Sequence, residues 1–79
     1  MNLTGIQILG ARTRGIALEN CQIVRVADST IRGDNLRTPI SVDGQCVNIM
    51  VANCFLSRGT DGAFELPTAR GVAVGNVVV

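Results

Sequence analysis

Glu19 and Asp43 stand twenty-four residues apart, each directly after an alternating apolar run: Gly15-Ile16-Ala17-Leu18 before the first, Pro39-Ile40-Ser41-Val42 before the second. If those runs stack as neighbouring strands, the two carboxyls come to roughly 5 Å apart, the separation of a retaining glycosidase pair. Such a pair works when one carboxyl is held protonated as the acid and its neighbour stays ionised. The matching place in the next copy is Pro67, and the chain has neither His nor Lys to serve as a third group. Solvated turn carboxylates produce the same spacing. Glu19 and Asp43 are therefore the candidate catalytic residues, weighed against a purely structural role.

The elements that must position them repeat. Ala63-Phe64-Glu65-Leu66 follows the second run after another twenty-four residues. The second and fourth residues of each run are apolar while the third varies from Ala17 to Ser41 to Glu65. Alternation with a period of two marks a strand with one buried face. Recurrence at a fixed interval in the twenties marks a solenoid whose turns stack on one another. With one residue inserted near Gln45, two further strands per turn align. Val24/Val26, Ile49/Val51 and Val72/Val74 are the expected inward positions of the second strand. Ser29/Ile31, Cys54/Leu56 and Val77/Val79 are those of the third. Between these strands lies a small residue and then Asp or Asn (Ala27-Asp28, Ala52-Asn53, Gly75-Asn76), side chains that hold sharp corners by bonding local backbone. Met1 and Leu3, Gly5, and Ile6 and Ile8 carry a partial copy of second strand, corner and third strand.

The 79 residues suffice for one small domain, 1–79. The apolar 47% is aliphatic and β-branched, with two Phe and no Trp or Tyr, which favours strands. A formal net charge of +1 offers no electrostatic footprint for nucleic acid. No apolar run approaches the roughly 20 residues of a membrane span. Without His, and with Cys21, Cys46 and Cys54 lacking metal-site spacing, neither a metal nor another cofactor is expected. Buried reduced thiols are expected instead of a disulfide framework.

The three-strand turn and the Asn-type corner resemble the right-handed parallel β-helix of pectate lyases, polygalacturonases, alginate epimerases and bacteriophage tailspikes. The resemblance covers nearly the whole chain and is to the fold rather than to any one member. It implies an all-β, right-handed parallel β-helix of about three turns of 24 residues, with three short strands each. The aliphatic stacks without aromatic ladders look more like the tailspikes. That resemblance implies a structural or receptor-binding segment of a tailspike- or tail-fibre-like virion protein, assembling as a homotrimer and contacting cell-surface polysaccharide. The alternative is a segment of a polysaccharide hydrolase or lyase using Glu19 and Asp43.

On the first-strand face, where this fold usually binds sugar chains, Ser41 and Glu65 are candidate contacts. Arg37 and Arg58, in the long loops beside Asp34 and Asp61, could grip an acidic polysaccharide bidentately or form exposed ion pairs. The expected outward positions Met50, Phe55, Ala73 and Val78 would form an apolar patch suited to an oligomer interface. Three turns without capping elements form a marginal unit, so a piece of a longer β-helix or a small associated subunit is expected.

Overall fold

Short segments with valine, isoleucine or leucine at alternate positions gain most by turning one face into a shared core, and glycine and asparagine supply the bends between them. A computed structural model describes residues 1–79. It contains ten strands and no helix: β1 (Asn2–Thr4), β2 (Gln7–Leu9), β3 (Arg14–Leu18), β4 (Gln22–Ala27), β5 (Thr30–Arg32), β6 (Thr38–Val42), β7 (Val47–Ala52), β8 (Phe55–Leu56), β9 (Gly71–Val74) and β10 (Val77–Val78). All seven strand pairings are parallel and connect successive turns. The result is a parallel β-solenoid with three walls, ordered β1-β4-β7-β9, β2-β5-β8-β10 and β3-β6.

The core runs along the solenoid axis as columns of like residues. Val26 stacks between Leu3 and Val51, and Ile31 between Ile8 and Leu56. Val26, Ile31, Val51 and Leu56 are fully buried. Leu18 pairs with Val42 and Ile16 with Ile40 to close the third wall. Cys46 and Cys54 are buried, Cys21 is half-buried, and all three are free thiols.

The bend between the first two walls falls on the left-handed residues Gly5, Asp28, Asn53 and Gly75, at φ of 64°, 52°, 54° and 66°. These are the residue types that reach that region at little cost. Just beyond the bend, side chains of one turn cap the turn before it. Ser29 Oγ accepts from the Ile6 amide at 3.2 Å, and Asn76 Oδ1 accepts from the Cys54 amide at 2.9 Å.

The last turn differs from the expected register by one residue. Val51 pairs with Ala73 and Leu56 with Val78, so Ala73 and Val78 stand in the inward phase rather than at an outer interface. Val72 and Val77, which stack on Met50 and Phe55, take the outward places, and Val74 and Val79 are exposed as well. The bend decides the slip. Gly75 takes the left-handed position under Asn53, where a Cβ would lie 2.6 Å from Asn53 Oδ1. Asn76 is thereby moved inward, where its Nδ2 donates to the Val51 carbonyl at 3.1 Å. Phe64 and Leu66 pack against the core as expected, but their segment joins no wall as a strand.

Candidate functional site

The candidate side chains lie on β6 and in the turns and loops around it: Glu19 follows β3, Arg37 precedes β6, Ser41 is on β6, Asp43 follows it, and Arg58 and Glu65 lie between β8 and β9. The register of β3 on β6 sets Leu18 opposite Val42, so Glu19 and Asp43 follow at equivalent places in successive turns. The two carboxyls do not share one environment. Asp43 Oδ1 accepts from the Gln45 amide at 2.9 Å and the Asn20 amide at 3.2 Å, and takes the Cys46 thiol at 3.2 Å. Its Oδ2 also lies 3.2 Å from the Asn20 amide.

The Asn20 amide, followed by the Cys46 thiol and the nearby Gln45 amide, holds the Asp43 carboxyl below its ordinary value of 3.8. Asp43 thus ties its own turn to the turn beneath, where Asn20 sits at φ 52°. A carboxyl stabilised as the anion by three donors is a poor proton donor. Glu19, the exposed member, is the one of the two free to approach a ligand.

The first-strand face is shallow. Ala17 pairs with Ser41, which is half-buried on β6. Glu65 is exposed between the inward-packed Phe64 and Leu66. That segment does create a hollow the sequence did not announce. A groove of about 420 Å³ lies between Phe64, Glu65, Leu66 and Thr68 on one side and the start of β9 on the other. It places one carboxylate and one hydroxyl on an otherwise apolar surface. The signal for it lay in Pro67-Thr68, which turns the chain away before β9 begins.

Of the loop arginines, Arg37 donates from Nε to Asp61 Oδ2 at 3.0 Å, an ion pair with both side chains more than half exposed. Arg58 is exposed, and its amide donates to the Val79 carbonyl at 2.7 Å. Ser41 is on β6, Glu65 lies in the segment before β9, and Arg37 and Arg58 lie in the loops before β6 and after β8. They are distributed over the wall and the loops.

The outward apolar residues do form columns. Met50, 39% exposed, stacks on Val72, 46% exposed, on the first wall. Around the bend, Phe55, 36% exposed, stacks on Val77, 51% exposed. Arg32 lies with its guanidinium 5.3 Å from the centroid of the Phe55 ring and donates from Nε to Ser57 Oγ at 3.0 Å. Ser57 Oγ also accepts from the Gly33 amide at 3.2 Å, so Arg32 is fixed against the wall, while Arg25, exposed on β4, stacks on Met50 in the first-wall column. Comparison with models of protein families, with curated proteins and with solved structures finds no match to this chain.

Proposed function

We propose that this chain serves a structural, surface-displaying role, as a β-solenoid segment of tailspike or tail-fibre kind that assembles side by side as a trimer and contacts cell-surface polysaccharide. The observation that carries the reading is the pair of outward columns, Met50–Val72 and Phe55–Val77, on neighbouring walls. Exposed apolar area gathered over two adjacent walls is a usual sign of a protein interface. Three solenoids packed about a common axis would cover it. A glycan would then lie along the first-strand face and its loops, with Ser41, Glu65, Arg37 and Arg58 as the contacts and the virion tail as the setting. The fold and the outward columns support this reading. Trimer and ligand come from the likeness to tailspikes.

The test is a Met50→Arg, Phe55→Glu double substitution. It leaves the core untouched and puts charge on both columns, so the folded trimer should fall apart to folded monomers. A trimer that persists would refute the interface.

A second reading, polysaccharide cleavage by Glu19 and Asp43, draws on their equivalent places in successive turns. It requires that Glu19→Gln abolish cleavage of the glycan bound. The commitment of Asp43 to Asn20, Gln45 and Cys46 favours the structural reading over it.

A further inference from the structure

The two outer edges of the solenoid are built to the same pattern. Leu3 to Ile8, Val26 to Ile31, Val51 to Leu56 and Ala73 to Val78 are inward pairs on the first and second walls, and the same five-residue step joins each pair. The left-handed bend falls at the same point of every step, at Gly5, Asp28, Asn53 and Gly75. The strands β1 and β2 form one edge, and β9 and β10 form the other.

Their backbone groups are in matching phase. The Arg25 amide bonds the Met1 carbonyl and the Gly5 amide bonds the Ala27 carbonyl, so Met1, Leu3 and Gly5 face β4. By the alternation of a parallel ladder, Asn2 and Thr4 turn their amides and carbonyls to the open edge. At the other end the Ile49 amide bonds the Arg70 carbonyl and the Asn53 amide bonds the Val74 carbonyl, which leaves Gly71, Ala73 and Gly75 facing outward. On the second wall the same argument exposes Gln7 and Leu9 at one edge and Asn76 and Val78 at the other. No residue of 2–9 or 71–79 carries a charged side chain. Charged side chains are the usual device that blunts a sheet edge, and both edges lack them.

We propose that the β9–β10 edge of one copy receives the β1–β2 edge of a second copy, head to tail. Leu3 of the arriving copy would stand on Ala73, Gly5 on Gly75 and Ile8 on Val78, continuing both columns of the core. Roughly seven backbone hydrogen bonds close across the joint, the number that the open groups on each side supply. The contact is heterologous, so it propagates rather than closes. It spans two walls. The third wall has no strand at this level, and the groove beside Phe64 and Leu66 stays open at the joint. This contact uses the ends of the solenoid, not the outward columns of the trimer proposal, and stands or falls separately.

The test is a mixing experiment read by light scattering, with circular dichroism on the same peak. Thr4→Pro removes an amide that faces only the β1 edge, and Ala73→Pro removes one that faces only the β9 edge. The unsubstituted chain should gain mass as its concentration is raised. Each proline variant alone should stay at a fixed base mass. An equimolar mixture should reach about twice that base and stop, because one variant keeps the β9 edge and the other keeps the β1 edge. If Thr4→Pro loses its β signal, Asn2→Pro interrupts the same edge, and if Ala73→Pro does, Val78→Pro removes an amide that faces only the β10 edge. A mass independent of concentration in the unsubstituted chain would overturn the proposal. So would growth that both prolines leave intact, or a mixture that stays at the base mass.

Discussion

Ile23 sits at φ 56° with its side chain 69% exposed, and replacing it by asparagine should make the protein more stable. For a β-branched residue the left-handed region costs about 1–2 kcal/mol, because Cβ crowds the following carbonyl oxygen. The neighbouring turn shows the relaxed solution. Gln22 pairs with Val47 and Val24 with Ile49, so Ile23 is bracketed opposite Asn48, which holds φ 58°. Losing the isoleucine forfeits the burial of the third of its surface that is covered, about 0.5–1 kcal/mol from a fully buried value of about 1.5–3 kcal/mol. The net gain is about 0.5–1 kcal/mol. In a domain of this size that raises Tm by about 2–8 °C, read by far-ultraviolet circular dichroism on heating. The reciprocal Asn48→Ile change should lower Tm, since it installs the strain in the second turn as well. A fall in Tm for Ile23→Asn would instead show that the isoleucine side chain is covered in solution and that its burial outweighs the backbone cost.

Leu56→Ala empties a fully buried position between Ile31 and Val78 and should cost about 2–5 kcal/mol, most of what a domain this small commands, so the chain should lose its cooperative melt. Gly71→Ala would set a Cβ 1.8 Å from the Ile49 carbonyl oxygen, and should detach β9 while leaving β4 and β7 paired, visible as selective loss of amide protection in residues 71–79. Asp43 is held below its ordinary 3.8, so its contribution is full above that pH and is lost as pH falls through the lowered value. Asp43→Asn should accordingly flatten the acid limb of a stability profile below about pH 3.8, and an unchanged limb would show that the Asn20 and Gln45 bonds do not stabilise the anion. Asp61→Ala removes the partner of Arg37 from an exposed ion pair and should shift stability by less than about 1 kcal/mol, with any effect vanishing in high salt.

The columns through Val26–Val51 and Ile31–Leu56 were legible because each strand there alternates, apolar against polar or variable, and the period fixes which face is buried. The last turn was not. Gly71-Val72-Ala73-Val74 and Val77-Val78-Val79 offer an apolar residue in both phases, so alternation cannot choose between them. The choice was made at Gly75, whose freedom at positive φ outcompetes Asn76 for the bend, and that one-residue preference turned Ala73 and Val78 inward. The equivalence of Glu19 and Asp43 could be read from spacing, but their unequal surroundings could not. The division depends on Asn20 adopting φ 52°, which aims its amide at Asp43. Ile23 was invisible for the opposite reason: a β-branched residue is the last that local rules would assign to a left-handed position.

The mass of the Thr4→Pro chain in solution isolates side-by-side assembly through the outward columns, because end-to-end stacking is blocked there. The prediction is a β-rich particle of three times 8.3 kDa that becomes a folded 8.3 kDa species when Met50→Arg and Phe55→Glu are added. A folded monomer of 8.3 kDa before those changes would contradict it.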